Sequence, residues 1–498
     1  MSVTTNQSNP VLVSAPVGGY QSGIKFGTDG WRALIADQFT FANVRLVASG
    51  IAHYLLRSFG TARPVVIGYD TRFLAKEFAL QAAEILQSFG FSILLTEKYT
   101  PTPLVAFSAR HLKSCGALMF TASHNPPQYC GIKFIPDYAG PATPEITNAL
   151  LDSVEQVYLT SSLLKGTQAG SLSEFSPFED YLTLLRSMVN FDLLKTSGLK
   201  VMYDPMYGAG QGYLDWVIRH EANLPLTVLH EGLDPYFGGR IPEPKDDWLP
   251  ELLAGVPAQK MDLGLANDGD ADRFGLVDET GAFVSANEAL PLLLRYLYTH
   301  RGFRGSTVRT VATSMLLDCV ANHLGVTVHE TPVGFKYVGE WMRKEPVIVG
   351  GEESGGLSVL GHIPEKDGIL ACLLMMEMCA VEKKPLSQIL KDLKQEVNMP
   401  LKLLSENLHV AEPKKQELMQ WVKGLSIGDT VAGKPIQRID TTDGVKLYFD
   451  QYEWMLLRPS GTEPILRLYG ESPDAERTQA FLHAVSEKAG PQALNSSH

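Results

Sequence analysis

The strongest constraint on the fold is a change of pattern that recurs along the chain. Short apolar runs (Pro64–Gly68, Ala117–Phe120, Lys200–Tyr203, Asp262–Ala266, Thr310–Ala312 and Val347–Val349) have the length of buried strands. Between them lie helical stretches such as Phe41–Ser58, Phe78–Phe89, Pro177–Val189 and Glu288–Tyr298. This alternation predicts α/β layering, with helices packed on mixed sheets. Four apolar runs end in polar tips: Val66-Ile-Gly-Tyr-Asp70, Leu118-Met-Phe-Thr-Ala-Ser123, Leu263-Gly-Leu-Ala-Asn-Asp268 and Val347-Ile-Val-Gly-Gly-Glu352. Ligand groups gather at the carboxyl ends of strands in α/β sheets, so similar units can each lend one loop to a shared site.

At 498 residues the chain has room for about three domains, with two or four also open. Boundaries are expected near Gly166–Ser176, Ala286–Glu288 and Asn398–Leu404, and Met1–Gly23 reads as a flexible tail. The net charge of −12 argues against sequence-independent nucleic-acid binding, yet a local positive pocket for a small anion remains compatible with it. The apolar stretch Gly368–Val381 is too short to span a bilayer and carries Glu377. No Lys or Arg precedes Lys25, so no secretory or transit signal is expected. Cys115, Cys130, Cys319, Cys372 and Cys379 form no C-x-x-C pair and are expected as reduced thiols of a cytoplasmic protein, with Cys372 and Cys379 in a core.

Several further loops carry chemistry. Thr121-Ala-Ser-His-Asn-Pro-Pro puts Ser123 on a turn beside His124, with Lys133 downstream; a serine needs a base or a metal to act as a nucleophile, and either residue could move the proton. A plain capped turn is the alternative. Asp268-Gly-Asp-Ala-Asp-Arg273 spaces three carboxylates at alternate positions, a set that suits a hard ion, Mg²⁺ or Ca²⁺. An EF-hand would need Gly at its sixth position, where Arg273 stands. An Asp-phosphorylating D-x-D enzyme would leave Ser123 without a role. Gly350-Gly-Glu-Glu-Ser-Gly-Gly356 offers Glu352 and Ser354 to neighbouring hydroxyls, and Arg458-Pro-Ser-Gly-Thr-Glu-Pro464 offers a guanidinium, two hydroxyls and open amides to a phosphate.

Together with Phe26-Gly-Thr-Asp-Gly-Trp-Arg32, and in this order, these loops resemble the motifs of the α-D-phosphohexomutase superfamily, from Gly23 to about Glu471. The resemblance implies four domains around a central cleft: three similar α/β domains with mixed sheets, and a C-terminal α+β domain of TATA-box-binding-protein-like fold. Their expected spans are 24–170, 176–287, 288–397 and 398–490. It implies that Ser123 carries the phosphoryl group and that Asp268, Asp270 and Asp272 bind one Mg²⁺ together with Ser123. Arg32, Lys133, His124 and Arg273 would surround the transferring group. Glu352, Ser354 and Lys336 would contact the sugar, and Arg458, Ser460, Gly461 and Thr462 would hold the non-reacting phosphate. The implied substrate is a hexose phosphate, glucose 1-phosphate or glucose 6-phosphate in glucose-type members, with glucose 1,6-bisphosphate as intermediate and activator. The expected assembly is a monomer or homodimer with neither nucleic acid nor membrane as partner. A glucose-1,6-bisphosphate synthase, a phosphomannomutase or dual-specificity enzyme, and a non-catalytic phosphosugar sensor are the alternatives. Ala271 stands where many members of the superfamily have Gly.

Overall fold

The computed structural model describes residues 24–27, 30–160, 169–460 and 465–490; the Met1–Gly23 tail lies outside them. The first sheet runs, from edge to edge, Trp31–Leu34, Tyr129–Pro136, Gly116–Phe120, Val65–Tyr69, Ile93–Thr96 and Leu172–Phe175. The second runs Phe283–Val284, Phe274–Asp278, Leu263–Asn267, Val201–Asp204 and Leu226–Val228. The third runs Val328–Thr331, Ser306–Thr310, Val347–Gly351 and Leu357–Val359.

One topology underlies all three. Val65–Tyr69, Val201–Asp204 and Ser306–Thr310 each pair in parallel with a neighbour on both sides. One of those neighbours then turns back through a loop into an antiparallel strand. The three turning loops carry Ser123, Asp268–Arg273 and Glu352–Gly356. The central strands are buried on both faces, which explains their continuous apolar runs. The fourth unit is α+β: a five-stranded antiparallel sheet ordered Lys402–Leu408, Leu466–Ser472, Trp454–Pro459, Val445–Tyr448 and Arg438–Asp440, with helices Glu412–Lys423 and Ala475–Ala489.

Two expectations are corrected. Leu172–Phe175, within the expected boundary and past the expected end of the first domain at residue 170, pairs in parallel with Ile93–Thr96 as the exposed edge of the first sheet. Its four residues are too few to show a period. The strand expected at Thr310–Ala312 ends at Thr310. Val311 and Ala312 are apolar because they pack, with Met315 and Leu316, against Trp454 and Leu456 of the fourth sheet. All five cysteines are buried and free.

The helix Gly368–Glu382 is buried along nearly its whole length, Glu377 included. It packs against strands of the second sheet and helix Ala286–Thr299, so its all-round apolarity is that of a core helix. Among the described residues no helix is long and apolar enough to cross a membrane.

The fourth unit is seated on the third by a mixed apolar and polar contact. Glu471 is buried and accepts hydrogen bonds from Met315 N (2.9 Å), Trp454 Nε1 (2.8 Å) and the Ser314 hydroxyl. The Lys446 ammonium donates to Val311 O at 2.7 Å and lies 3.9 Å from the Trp454 ring centroid. Removing the indole would empty this contact and leave Glu471 short of a donor. Trp454→Ala is expected to cost about 3–5 kcal/mol and to split calorimetric unfolding into two transitions, the fourth unit melting first. A single, unshifted transition would contradict this.

Candidate active site

Ser123 follows the strand Gly116–Phe120 and has φ 50°, a left-handed backbone that costs a non-glycine residue about 1–2 kcal/mol. Its amide donates to Thr121 Oγ1 at 2.8 Å. Its hydroxyl donates to Asp268 Oδ2 at 2.7 Å, across 145 positions of sequence, and lies 3.4 Å from His124 Nδ1.

The Asp loop closes on itself to hold three acids together. Ala271 N bonds Asp268 O at 3.0 Å, and Arg273 N bonds Asp268 Oδ1 at 3.0 Å. Asn267 braces the loop by donating to Arg273 O at 2.8 Å, while Tyr203 OH holds Asn267 Oδ1 at 3.0 Å. Ala271 has φ 56°. The turn therefore requires a left-handed residue, which accounts for the glycine that many bearers of the motif carry there. Asp268, Asp270 and Asp272 are fully buried, and one carboxylate oxygen from each lies within 4.8 Å of the other two. Lys133 Nζ bridges Asp270 Oδ2 at 2.8 Å and Asp272 Oδ2 at 2.7 Å. Thr102 donates to Asp270 Oδ2 at 2.5 Å. The Oδ1 atoms of Asp270 and Asp272 are buried and accept no hydrogen bond. A buried all-oxygen set with open acceptors could hold a hard divalent ion.

Burial and then charge set the protonation states here. Burial, followed by repulsion from Asp270 and Asp272, pushes Asp268 well above the usual carboxylate range. Burial would also raise Asp270, but the Lys133 ammonium and the bonds from Lys133 and Thr102 overcome it and hold Asp270 below that range. Burial, then the surrounding Arg273, Arg32, Lys245 and Arg467, drive His124 well below its ordinary value, so its imidazole is neutral. Burial and the neighbouring Glu353 push Glu352 up to about 7.

The remaining loops join this centre in sequence. Arg32 Nη1 donates to Asn125 Oδ1 at 2.8 Å, which places it on the serine loop. Phe274 N bonds Gly355 O at 3.1 Å, fastening the Asp loop to the Glu352–Gly356 loop, where Ser354 is half-buried. Glu352 Oε1 accepts from Gly334 N at 2.9 Å, which brings in the turn that carries Lys336. Asp443 Oδ2 accepts from Val333 N at 3.0 Å and from Arg458 Nε at 2.7 Å, which ties the fourth unit to that same turn. Ser460 N bonds Ile465 O at 3.0 Å; Gly461 and Thr462 lie outside the described residues.

Several residues were not singled out from sequence. Lys366 Nζ lies 3.4 Å from Asp272 Oδ2 and 3.1 Å from Glu365 Oε1. Arg467 is the cross-strand partner of Arg458, so two guanidinium side chains share one face of the fourth sheet. Arg72, two residues past the polar tip at Asp70, is buried beneath the serine loop. Arg467 sits in a segment with no local sign of convergence, whereas Arg72 follows a strand tip that did carry one and Lys366 lies within the Gly361–Gly368 segment.

A Cβ added at Gly269 would lie 2.6 Å from Ser123 O. Gly269→Ala is therefore expected to push the serine and Asp loops apart and lower kcat by about 100-fold, the scale of a misplacement of about 1 Å, with KM for substrate little changed. Wild-type kcat in this variant would show that the close approach is not needed.

Comparison with known proteins agrees with this geometry. Models of the phosphoglucomutase/phosphomannomutase family match in four consecutive pieces: α/β/α domain I at residues 23–160, domain II at 179–281, domain III at 285–397 and the C-terminal domain at 406–488. A phosphoglucomutase/phosphomannomutase of Thermococcus kodakarensis is 30% identical over 465 residues, covering 92% of this chain and 97% of its own. A Komagataeibacter xylinus protein named phosphoglucomutase is 27% identical over 511 residues, covering 94% and 90%. A solved structure from Thermus thermophilus that carries the phosphomannomutase name has a TM-score of 0.82 and 33% identity, over 95% of this chain and 99% of that one. Other relatives, among them one from Methanobrevibacter smithii at 33% identity over 92% of this chain and 96% of its own, carry the phosphoglucosamine mutase name. The chain belongs to the phosphoglucomutase/phosphomannomutase family of the α-D-phosphohexomutase superfamily and is a phosphohexomutase.

Proposed function

We propose that this phosphohexomutase interconverts glucose 1-phosphate and glucose 6-phosphate through a phosphoserine at Ser123 and a glucose 1,6-bisphosphate intermediate. The observation that carries the reading is the 2.7 Å contact between Ser123 Oγ and Asp268 inside a buried trio of carboxylates. The preference for glucose is supported by Gly351–Gly356 and the following Gly361–Gly368 segment, which look like those of glucose-type members.

In the forward direction the P–Oγ bond of phosphoserine breaks and a P–O bond forms to the free sugar hydroxyl. That hydroxyl loses its proton as it attacks. His124, 3.4 Å from Ser123 Oγ, or Lys133, which lies between Asp270 and Asp272, takes it. The bisphosphate turns over, and Ser123 takes back the other phosphoryl group. Asp268, Asp270 and Asp272 would hold Mg²⁺, which when bound supplies Lewis-acid charge to the phosphoserine oxygens. Arg32, Lys133 and Arg273 add fixed positive charge where phosphoryl oxygens gather.

Glu352, Ser354 and Lys336 bind the sugar end. Arg458 faces Arg467 across the hairpin, and directly opposed like charges repel. A phosphate between them turns that repulsion into binding, with Ser460, Gly461 and Thr462 as further donors. Gripping the distant phosphate in either orientation turns binding energy into alignment.

Intact-mass analysis is expected to find one labile phosphoryl group on the wild type and none on Ser123→Ala. Turnover of glucose 1-phosphate in that variant should fall at least about a thousandfold, the scale on which loss of a nucleophile acts. Chelation should abolish wild-type turnover and Mg²⁺ restore it. A phosphoryl group that survives Ser123→Ala, or full activity in chelator, would contradict the proposal.

A further inference from the structure

The loop that presents Ser123 has little secondary structure of its own. Between Ala122 and Tyr129 its backbone makes two local bonds, Asn125 N to Ala122 O at 2.9 Å and Tyr129 N to Pro126 O at 3.1 Å. Four of its carbonyls instead converge on one side chain. Arg72 Nη2 donates to Ser123 O and Asn125 O, both at 2.6 Å, and Arg72 Nη1 donates to Pro126 O at 2.8 Å and Tyr129 O at 3.0 Å. The remaining guanidinium nitrogen, Nε, lies 3.3 Å from Asp70 Oδ2, and neither side chain has any exposed surface. Asp70 Oδ1 accepts Arg72 N at 2.9 Å, so the aspartate fixes the root of the arginine by a hydrogen bond and balances its head by an ion pair in which Nε and Oδ2 form no hydrogen bond.

The guanidinium also reaches the second domain. Its carbon lies 4.9 Å from the ring centroid of Phe237, a buried residue with φ 52°. Next to Arg72, Thr71 Oγ1 donates to Tyr207 O at 2.9 Å. The Ser123 carbonyl thus has Arg72 as its donor, while Gly269 of the Asp loop approaches so closely that a Cβ there would sit 2.6 Å away. Moving that carbonyl moves Ser123 Oγ relative to Asp268.

We propose that Arg72, clamped by Asp70, is a positioning residue for phosphoryl transfer: its guanidinium is the template that holds the Ser123 loop in register with the Asp268–Asp272 loop. The inference rests on the reading of Ser123 as the phosphoryl carrier. Arg72 touches no reacting atom. It acts through the Ser123 and Asn125 carbonyls, and Asn125 in turn holds Arg32 through its side-chain oxygen. Only a planar five-donor fork satisfies four carbonyls at once; an ammonium has three donors and no fork. The role is therefore specific to arginine and separable from buried charge as such.

The test measures steady-state kinetics, Mn²⁺ affinity and thermal unfolding of wild type, Arg72→Lys, Arg72→Gly and Phe237→Leu. Arg72→Lys is expected to lower kcat by about 100-fold, as a misplacement of about 1 Å does, with KM for glucose 1-phosphate and Mn²⁺ affinity within about threefold of wild type. Adding guanidinium to Arg72→Gly at concentrations that leave the protein folded should restore part of the lost kcat, which a purely structural role would not produce. If Arg72→Lys does not fold, Phe237→Leu decides, since it removes the ring over the guanidinium but no donor; its kcat should fall with KM unchanged. Wild-type kcat in a folded Arg72→Lys, or in Phe237→Leu where the lysine variant does not fold, would overturn the inference. So would a loss of kcat matched by an equal loss of Mn²⁺ affinity. An inactive wild type with no phosphoryl group on Ser123 would instead overturn the reading of the site on which the inference stands.

Discussion

Mutual repulsion among three buried carboxylates governs this structure. Asp268, Asp270 and Asp272 are taken out of water within 4.8 Å of one another, an arrangement that is unstable unless positive charge is brought to it. Lys133 crosses from the first domain to supply one charge, Lys366 approaches from the third, and the Arg273 guanidinium comes from the loop itself. Burial and the nearby cations Arg273, Arg32, Lys245 and Arg467 keep His124 neutral, and the Ser123 hydroxyl donates to Asp268. A phosphoryl group on Ser123 and a metal ion on the trio, as proposed above, would share this one electrostatic cause.

Topology makes that convergence inexpensive in chain entropy. Each of the first three units turns a parallel strand into an antiparallel neighbour through a short loop, and each such loop brings one kind of chemistry. A single supersecondary plan therefore delivers a hydroxyl, a carboxylate trio and a polyol-type Glu-Ser loop to one centre. The fourth unit is built differently, as an antiparallel sheet. It is joined to the centre through Asp443 and to the third unit through Glu471, Lys446 and Trp454.

Much of this was legible in the residues. Continuous apolar runs marked the central strands because those strands are covered on both faces; the alternate Asp residues do converge, but through a turn closed by Ala271 N and a left-handed Ala271 rather than through the extended backbone that the spacing suggests. Thr310–Ala312 misled for a definite reason: Val311 and Ala312 are apolar for the sake of the fourth unit, and burial between domains has no period. Leu172–Phe175 was hidden because an exposed four-residue edge strand has no apolar signature. Arg72, Lys366 and Arg467 were hidden because their roles arise from partners remote in the chain or on a neighbouring strand; a lone cation carries no sign of the carbonyls or carboxylates it will meet.

The central claim is that the carboxylate trio and Ser123 form one metal-centred unit. Anomalous diffraction from crystals of the phosphorylated protein grown with Mn²⁺ tests it directly. The account predicts one strong peak bonded at about 2.1 Å to an oxygen from each of Asp268, Asp270 and Asp272, with a phosphoserine oxygen of residue 123 completing the set. A peak elsewhere, or an ion on the trio with the Ser123 phosphate beyond bonding distance, would contradict it.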